Sequence, residues 1–236
     1  MKTVIVTGAS SGIGMATAIK LKSEGYIVMG TYLNGEDNAK NIQDKYGIPF
    51  VRCDVSVESD IENLFGLAEK TFGKVGAVVA NAGIALKQKP LLDVSEEEID
   101  SLLNVNLKGT LLTNKRAVLS MLNEGGVIIN VSSIFGLYGG GCEVPYSATK
   151  AGIIGITNAL AEELCNSNVS VCAVAPGLIN TRMNAHLDQN AIEDFLVESG
   201  ANRIGEPIDV ANKIFEILSS SDNVNGKIFT VCCNVE

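Results

Sequence analysis

No run of 18 consecutive apolar residues occurs in this chain. A helix needs about 20 to cross a bilayer, so no transmembrane helix is expected. An apolar leader is missing as well: Met1 and Lys2 run straight into "TVIVTG". That argues against a secretory signal and for a cytoplasmic location. Clusters of lysine and arginine are lacking, and 18 basic against 27 acidic residues leave a net charge of −9. A nucleic-acid binder needs a basic footprint to displace counterions from phosphates, so nucleic acid is excluded as an expected partner. Histidine is nearly absent. His186 stands alone, and none of the six cysteines (Cys53, Cys142, Cys165, Cys172, Cys232 and Cys233) forms a C-x-x-C pair. Zinc sites need closely spaced Cys and His ligands, so no metal is expected. The cysteines read as reduced, mostly buried thiols, and His186 as a polar residue on a mobile segment.

What is present is an alternation. The chain has 236 residues, 46% of them hydrophobic, enough for one large α/β core. Short apolar runs occupy 3–8, 26–33, 49–55, 75–83, 126–133, 169–177 and 227–233. They are apolar at nearly every position, the pattern of strands buried on both faces of a parallel sheet. Helix-period segments lie between them at 12–24, 36–46, 57–72, 95–123, 146–166 and 207–220. Ser95 followed by Glu98 predicts a capping box for the fourth. The pattern predicts an α/β, Rossmann-like, doubly wound fold with about seven parallel strands and helices on both faces. No repeat or linker divides it, so one domain is expected. Only 178–206 interrupts the alternation. This long polar insertion follows a strand's carboxyl end, where it would cover the ligand crevice as a lid.

The first strand ends in "TGASSGIG", with Gly8, Gly12 and Gly14. A tight strand-to-helix turn needs glycine, and a diphosphate approaching closely leaves no room for side chains. The following helix would offer free N–H groups and its positive dipole end to that anion. Later in the chain, "NVSSIFGLYGGGCEVPYSATK" places a serine pair, a glycine cluster, Tyr146 and Lys150 just past a buried strand. Tyr146 and Lys150 form an i,i+4 pair on one helix face. A phenol of pKa near 10 is ionised to about one part in a thousand at pH 7, and a nearby cation lowers an acid by ~1–3 units. Lys150, helped by the positive charge of an oxidised nicotinamide, is therefore expected to bring Tyr146 into range as a general acid/base. Either Ser132 or Ser133 would hydrogen-bond the reacting oxygen, and strand alternation does not choose between them.

On these residues the chain resembles the short-chain dehydrogenase/reductases, and among them the 3-oxoacyl-carrier-protein reductase-like members. "TGASSGIG" looks like their cofactor motif. "ANAG" at 80–83 is similar to their N-N-A-G, with Ala80 replacing the first Asn. "NVNLKG" at 104–109 resembles the segment holding their active-site Asn, here Asn106. "PGLINT" at 176–181 looks like their nicotinamide-touching element, and "NRIGEPIDVA" at 202–211 is similar to a segment common in this branch. The resemblance spans essentially the whole chain. It implies a catalytic set of Asn106, Ser133, Tyr146 and Lys150, and its spacing favours Ser133 over Ser132. Asn106 would support a water relay from Lys150 to solvent, and Lys150 would also hold the nicotinamide ribose. The implied cofactor contacts are Gly8, Ser10, Ser11, Gly12, Ile13, Gly14, Tyr32, Leu33, Asp54, Val55, Asn81, Ala82, Gly83, Tyr146, Lys150, Pro176, Gly177, Ile179 and Thr181. Asp54 reads equally as a turn former. Ser133, Cys142, Glu143 and Tyr146 are expected to line the substrate pocket, although Cys142 and Glu143 also read as shapers of a glycine-rich loop.

In such proteins an acidic residue ending the second strand binds a ribose 2′-hydroxyl and repels a 2′-phosphate. Tyr32 stands there instead, which argues against strict NAD(H) use. Ser11, however, replaces the Arg or Lys of many NADP-dependent members. NADP(H) is the expected cofactor, with NAD(H) the alternative. The resemblance implies reduction of a 3-oxoacyl thioester, as in fatty acid biosynthesis. Docking of an acidic acyl carrier is argued against, because "MLNEGG" (121–126) and "LCNSN" (164–168) lack the usual basic residues and the chain itself is acidic. Arg182 or Arg203 in the insertion would have to compensate. A small alcohol/ketone pair such as a polyol, sugar or cyclic ketone is the alternative substrate. A non-enzymatic redox sensor is a third reading, one with no need for an acid/base set. Relatives imply a homotetramer or homodimer built on helices 95–123 and 146–166. The terminal "FTVCCNVE" departs from the usual V-D-G-G of that region.

Overall fold

A computed structural model describes residues 2–185, 187, 189–199 and 201–232. His186 and Cys233 lie outside the described residues. Seven strands, β1 (Thr3–Val6), β2 (Ile27–Tyr32), β3 (Phe50–Arg52), β4 (Val75–Ala80), β5 (Gly126–Val131), β6 (Val169–Pro176) and β7 (Ile228–Val231), form one sheet in the order β3-β2-β1-β4-β5-β6-β7. Every pairing is parallel. Parallel neighbours require crossovers, supplied by α1 (Gly12–Ser23), α2 (Glu36–Tyr46), α3 (Glu58–Phe72), α4 (Glu96–Leu102), α5 (Gly109–Met121), α6 (Phe135–Tyr138), α7 (Val144–Glu163), α8 (Gln189–Ser199) and α9 (Pro207–Ser219).

Strand periodicity explains the two cores. Val4 and Val6 of β1 pack with Val28, Val79 and Val174 against α1 and α9, through Leu21, Val210 and Ile214. Ile5, one residue out of phase, packs with Met29, Val78 and Val171 against Phe65 of α3 and Met121 of α5. Both faces are dry, so the strands read as continuous apolar runs.

The strands are shorter than the apolar runs because the glycine and serine ends turn out of the ladder. The expected single helix over 95–123 is divided. The capping box at Ser95 forms, with Glu98 N–H donating to Ser95 Oγ at 3.3 Å and Ser95 N–H donating to Glu98 Oε2 at 2.9 Å. Residues Leu103–Lys108 then widen into a π-turn, in which the Gly109 N–H reaches back five residues to Asn104 O. The Thr110 hydroxyl donates to the displaced carbonyl of Asn106 at 2.7 Å. Insertion 178–206 holds a 3-10 turn (Arg182–Asn184) and α8, and is tied at its base by Gly205 N–H donating to Leu178 O at 2.8 Å. Among the described residues no helix is long and apolar enough to cross a membrane.

Candidate active site

The sheet order reverses between β1 and β4, and in open α/β sheets the carboxyl ends at that switch point frame a crevice. Here a cleft of about 790 Å³ runs from the glycine turn after β1 to Phe195 on α8. At the first end, Gly8 N–H donates to Thr31 Oγ1 and Ala9 N–H to Thr31 O, which folds the turn onto β2. Asn81 braces the other side, its Nδ2 donating to Thr7 O at 2.9 Å. Ser11 is the N-cap of α1 but makes no side-chain cap bond. The first-turn N–H groups of α1 therefore remain available to an anion.

Gly8 has φ 64°, and a Cβ on it would sit 2.9 Å from the Ala82 Cα. Gly14 does not line the cleft. It carries the close contact of α1 with the turn: a Cβ there would run into the Gly8 carbonyl and lie 2.5 Å from Asn81 Nδ2. Gly14→Ala is expected to destabilise the protein by about 2–3 kcal/mol, the cost of overpacking. It should weaken dinucleotide binding at the same time, read by urea denaturation and nucleotide titration.

Of the expected cofactor contacts, all but Gly14 line this cleft: Ser10, Ser11, Gly12, Ile13, Tyr32, Leu33, Asp54, Val55, Asn81, Ala82, Gly83, Pro176, Gly177, Ile179 and Thr181 stand beside Gly8, Tyr146 and Lys150. Asp54 is a turn former that also faces the cleft. It lines the cleft, and its Oδ1 accepts from Ser56 N–H and Ser56 Oγ to form a turn. These features fit a nicotinamide dinucleotide: an N–H-lined glycine turn for the diphosphate, then a wall leading to Tyr146 and Lys150.

The structure distinguishes the two serines. Ser132 Oγ donates to Lys150 O at 2.7 Å and is consumed in packing β5 against α7. Ser133 accepts from Phe135 N–H at 3.1 Å and shares a hydrogen bond with the Tyr146 phenol. Lys150, 5% exposed, donates from Nζ to Val131 O at 3.0 Å, with Nζ 5.5 Å from the centroid of the Tyr146 ring.

The chain's own electrostatics at the phenol are dominated by burial. Burial pushes the Tyr146 phenol up to about 12; the Ser133 hydrogen bond opposes that shift and the Glu143 charge adds to it. Within the chain itself burial is the largest influence on the phenol, and the Lys150 ammonium donates to the Val131 carbonyl; the charge of an oxidised nicotinamide is the other half of the expected lowering. Burial in turn lowers Lys150 to about 8. A phenol held protonated suits a proton donor, the role required in carbonyl reduction.

Asn106 is fully buried in the π-turn and does not line the cleft. Its Oδ1 accepts from Ile84 N–H at 2.8 Å, and its Nδ2 donates to Ile84 O at 2.9 Å and Thr149 Oγ1 at 3.2 Å. Thr149 donates in turn to Tyr146 O at 2.8 Å. Asn106 thus fastens the loop after β4 to the helix carrying Tyr146 and Lys150.

Cys142 is not brought to the site. It has a left-handed backbone (φ 60°) and an exposed side chain at the rim, whereas the next residue, Glu143, is 8% exposed and lines the cleft. The thiols as a set also differ from expectation: Cys53 and Cys172 are buried, Cys232 is half-buried, and Cys142 and Cys165 are exposed. The lining further includes Gln88, Phe135, Leu187 and Phe195, none of them marked by the sequence motifs. The edge-to-face pair Phe135–Phe195, with centroids 6.3 Å apart, joins α6 to α8 across the far end. Neither insertion arginine is placed on a basic patch. Arg203 pairs with Asp209 at 2.8 Å, and Arg182 lines the cleft beside Thr181.

Comparison with known proteins agrees with this geometry. The sequence model of the short chain dehydrogenase family matches residues 2–192. The chain is 34% identical over 237 residues to the 3-oxoacyl-[acyl-carrier-protein] reductase FabG of Thermotoga maritima, covering 98% of this chain and 96% of that one. It is 37% identical over 232 residues to carbonyl reductase family member 4 of Danio rerio, with the same coverage. Among solved structures it superposes with a TM-score of 0.91 on a 3-ketoacyl-(acyl-carrier-protein) reductase from Brucella melitensis complexed with NADH, at 26% identity. Levodione reductase gives 0.90 at 27%, and each alignment covers 98% of this chain and 96% of the other. With its parallel sheet, glycine turn and Tyr146–Lys150 helix, the chain belongs to the short-chain dehydrogenase family.

Proposed function

We propose that this protein reduces a carbonyl to a hydroxyl with a nicotinamide dinucleotide, and that its substrate is a 3-oxoacyl thioester. The observation that carries the reading is the Ser133–Tyr146–Lys150 cluster opening into the same cleft as the glycine turn. When bound, the reduced nicotinamide supplies the hydride that goes to the carbonyl carbon. Tyr146 donates its phenolic proton to the carbonyl oxygen, and Ser133 hydrogen-bonds that oxygen as charge develops on it. Lys150 holds the nicotinamide ribose and returns a proton to Tyr146. Asn106 keeps the loop after β4 and α7 in register, and supports the relay to solvent.

The cofactor is NADP(H) in preference to NAD(H), because no carboxylate ends β2 to repel a 2′-phosphate; the lack of a basic residue at Ser11 keeps that preference modest. The chain acts as one cytoplasmic domain with 178–206 as its lid. It assembles as a homotetramer through the segments 95–123 and 146–166, where the exposed Leu103 of the π-turn and Leu111 and Leu119 of α5 support such an interface.

A second reading, reduction of a small free ketone, is favoured by the lack of basic residues where an acidic carrier would dock. NADPH and NADH oxidation with acetoacetyl-coenzyme A, beside a panel of free ketones, tests both. Thioester turnover with NADPH at least tenfold above every free ketone is the expected result. Turnover confined to one free ketone would replace the thioester with that class.

A further inference from the structure

Glu143 is a carboxylate whose one side-chain partner among the described residues is a neutral amide, that of Gln88. It stands at the N-cap of α7, yet its side chain makes no cap bond. At 8% exposure it lines the cleft, one helical turn before Tyr146. Side chains spaced i,i+3 lie roughly 5–6 Å apart at Cβ, and Glu143 is close enough for its charge to act on the phenol. Among the described residues no cation pairs with it. The nearby Lys89, whose N–H donates to Cys142 O, spends its ammonium on Glu98 at 2.7 Å. Lys150 gives its own to Val131 O. The partner Glu143 has is the neutral side chain of Gln88.

A buried carboxylate held by a neutral amide, with no cation beside it, is costly to keep charged. The same lining holds the carboxylate of Asp194, the aromatic Phe135–Phe195 pair and two cations, Lys150, which is committed to Val131 O, and Arg182, which stands beside Thr181 at the glycine-turn end. We infer that Glu143 selects carbonyl substrates carrying a protonated amine a few bonds from the carbonyl, held as an ion pair while Tyr146 serves the oxygen. Such a cation would also offset the burial that raises the Glu143 carboxyl. This inference rests on the reading that Tyr146 protonates a substrate carbonyl, and it applies to an acyl thioester and a free ketone alike.

The test uses the full-length protein with methyl ketones of one length ending in ammonium, hydroxyl, methyl or carboxylate. The ammonium ketone should exceed the methyl ketone at least tenfold in kcat/KM, with the carboxylate slowest. Glu143→Gln should bring the ammonium-to-methyl ratio close to one. A ratio unchanged by Glu143→Gln, or a wild-type preference for methyl or carboxylate, overturns the inference and leaves carbonyl reduction standing. A binding arm measures the matching amino alcohol against the methyl alcohol by thermal shift with NADP⁺ present. If no ketone is turned over while acetoacetyl-coenzyme A is, carbonyl reduction stands and the binding arm decides the inference; if neither is turned over, carbonyl reduction fails as a reading. Glu143-dependent binding of the amino alcohol alone would still uphold the inference, and equal binding of both alcohols would end it.

Discussion

Tyr146→Phe should lower kcat by about 10³–10⁴ while leaving dinucleotide affinity within about threefold, the signature of losing a general acid rather than a binding group. The substitution removes one oxygen at the cleft wall and keeps the ring, so its packing near Lys150 is retained. Two consequences separate this from a folding defect. The urea midpoint should move little, because the lost hydrogen bond to Ser133 is worth only about 1 kcal/mol net. The binary complex with NADP⁺ should still form, because the glycine turn and the N-terminus of α1 are remote from the phenol. Turnover within tenfold of wild type would show that another group protonates the substrate and would remove Tyr146 from the mechanism. Loss of both turnover and nucleotide binding would instead make the phenol a structural element of the cofactor site.

Much of this site was legible in the sequence because its parts are local. Strands buried on both faces leave no polar phase, so "TVIVTG" and "GVIINVSS" announce a parallel sheet, and glycines at its first exit announce a phosphate turn. Tyr146 and Lys150 lie within one helical turn, so their common face follows from geometry alone. What could not be read depends on partners distant in sequence. Ser132 and Ser133 are equivalent by alternation until the Lys150 carbonyl, 18 residues away, claims the first of them. The π-turn carrying Asn106 depends on Gly109 and Thr110 taking up its displaced backbone bonds, and no periodicity announces it. The loop at 139–143 has no period at all, and a left-handed Cys142 turns its own side chain to solvent and leaves Glu143 in the wall. The desolvation of Tyr146 was hidden for the same reason. The pair argument counted charges, those of Lys150 and an oxidised nicotinamide, whereas desolvation is the sum over every element packed around the phenol, and within the chain itself it is the largest effect.

That desolvation yields the second large expectation. Lys150→Met should reduce kcat/KM at least about 10³-fold, and should make the nucleotide-free protein more stable at pH 7. Burial lowers Lys150 from 10.5 to about 8. At one unit per 1.36 kcal/mol, keeping it charged below pH 8 costs the fold roughly 3 kcal/mol. Methionine matches the length of the stem and carries no charge. It does leave Val131 O without its donor, which returns about 1–2 kcal/mol of that gain. A net stabilisation of roughly 1–2 kcal/mol corresponds to a rise in Tm of about 3–6 °C for a domain of this size.

The pH dependence fixes the cause. Between pH 8 and 10.5 the folded wild type has lost this proton while the unfolded chain still holds it, so the unfolded state binds more protons and the Lys150 contribution to stability rises with pH. Burial holds the Cys53 and Cys172 thiols at about 12, which pulls the other way above pH 9, and the Tyr146 phenol does so above pH 10. The quantity to follow is therefore the difference between variant and wild type, in which those groups cancel. The advantage of Lys150→Met should be full at pH 7 and shrink as pH rises from 8 towards 10. Urea denaturation at pH 7, 8.5 and 9.5 measures it. A variant less stable than wild type at pH 7, or a difference that ignores pH, would mean that the ammonium is held at no cost. In that case the protein would not be giving up stability to keep a cation beside Tyr146.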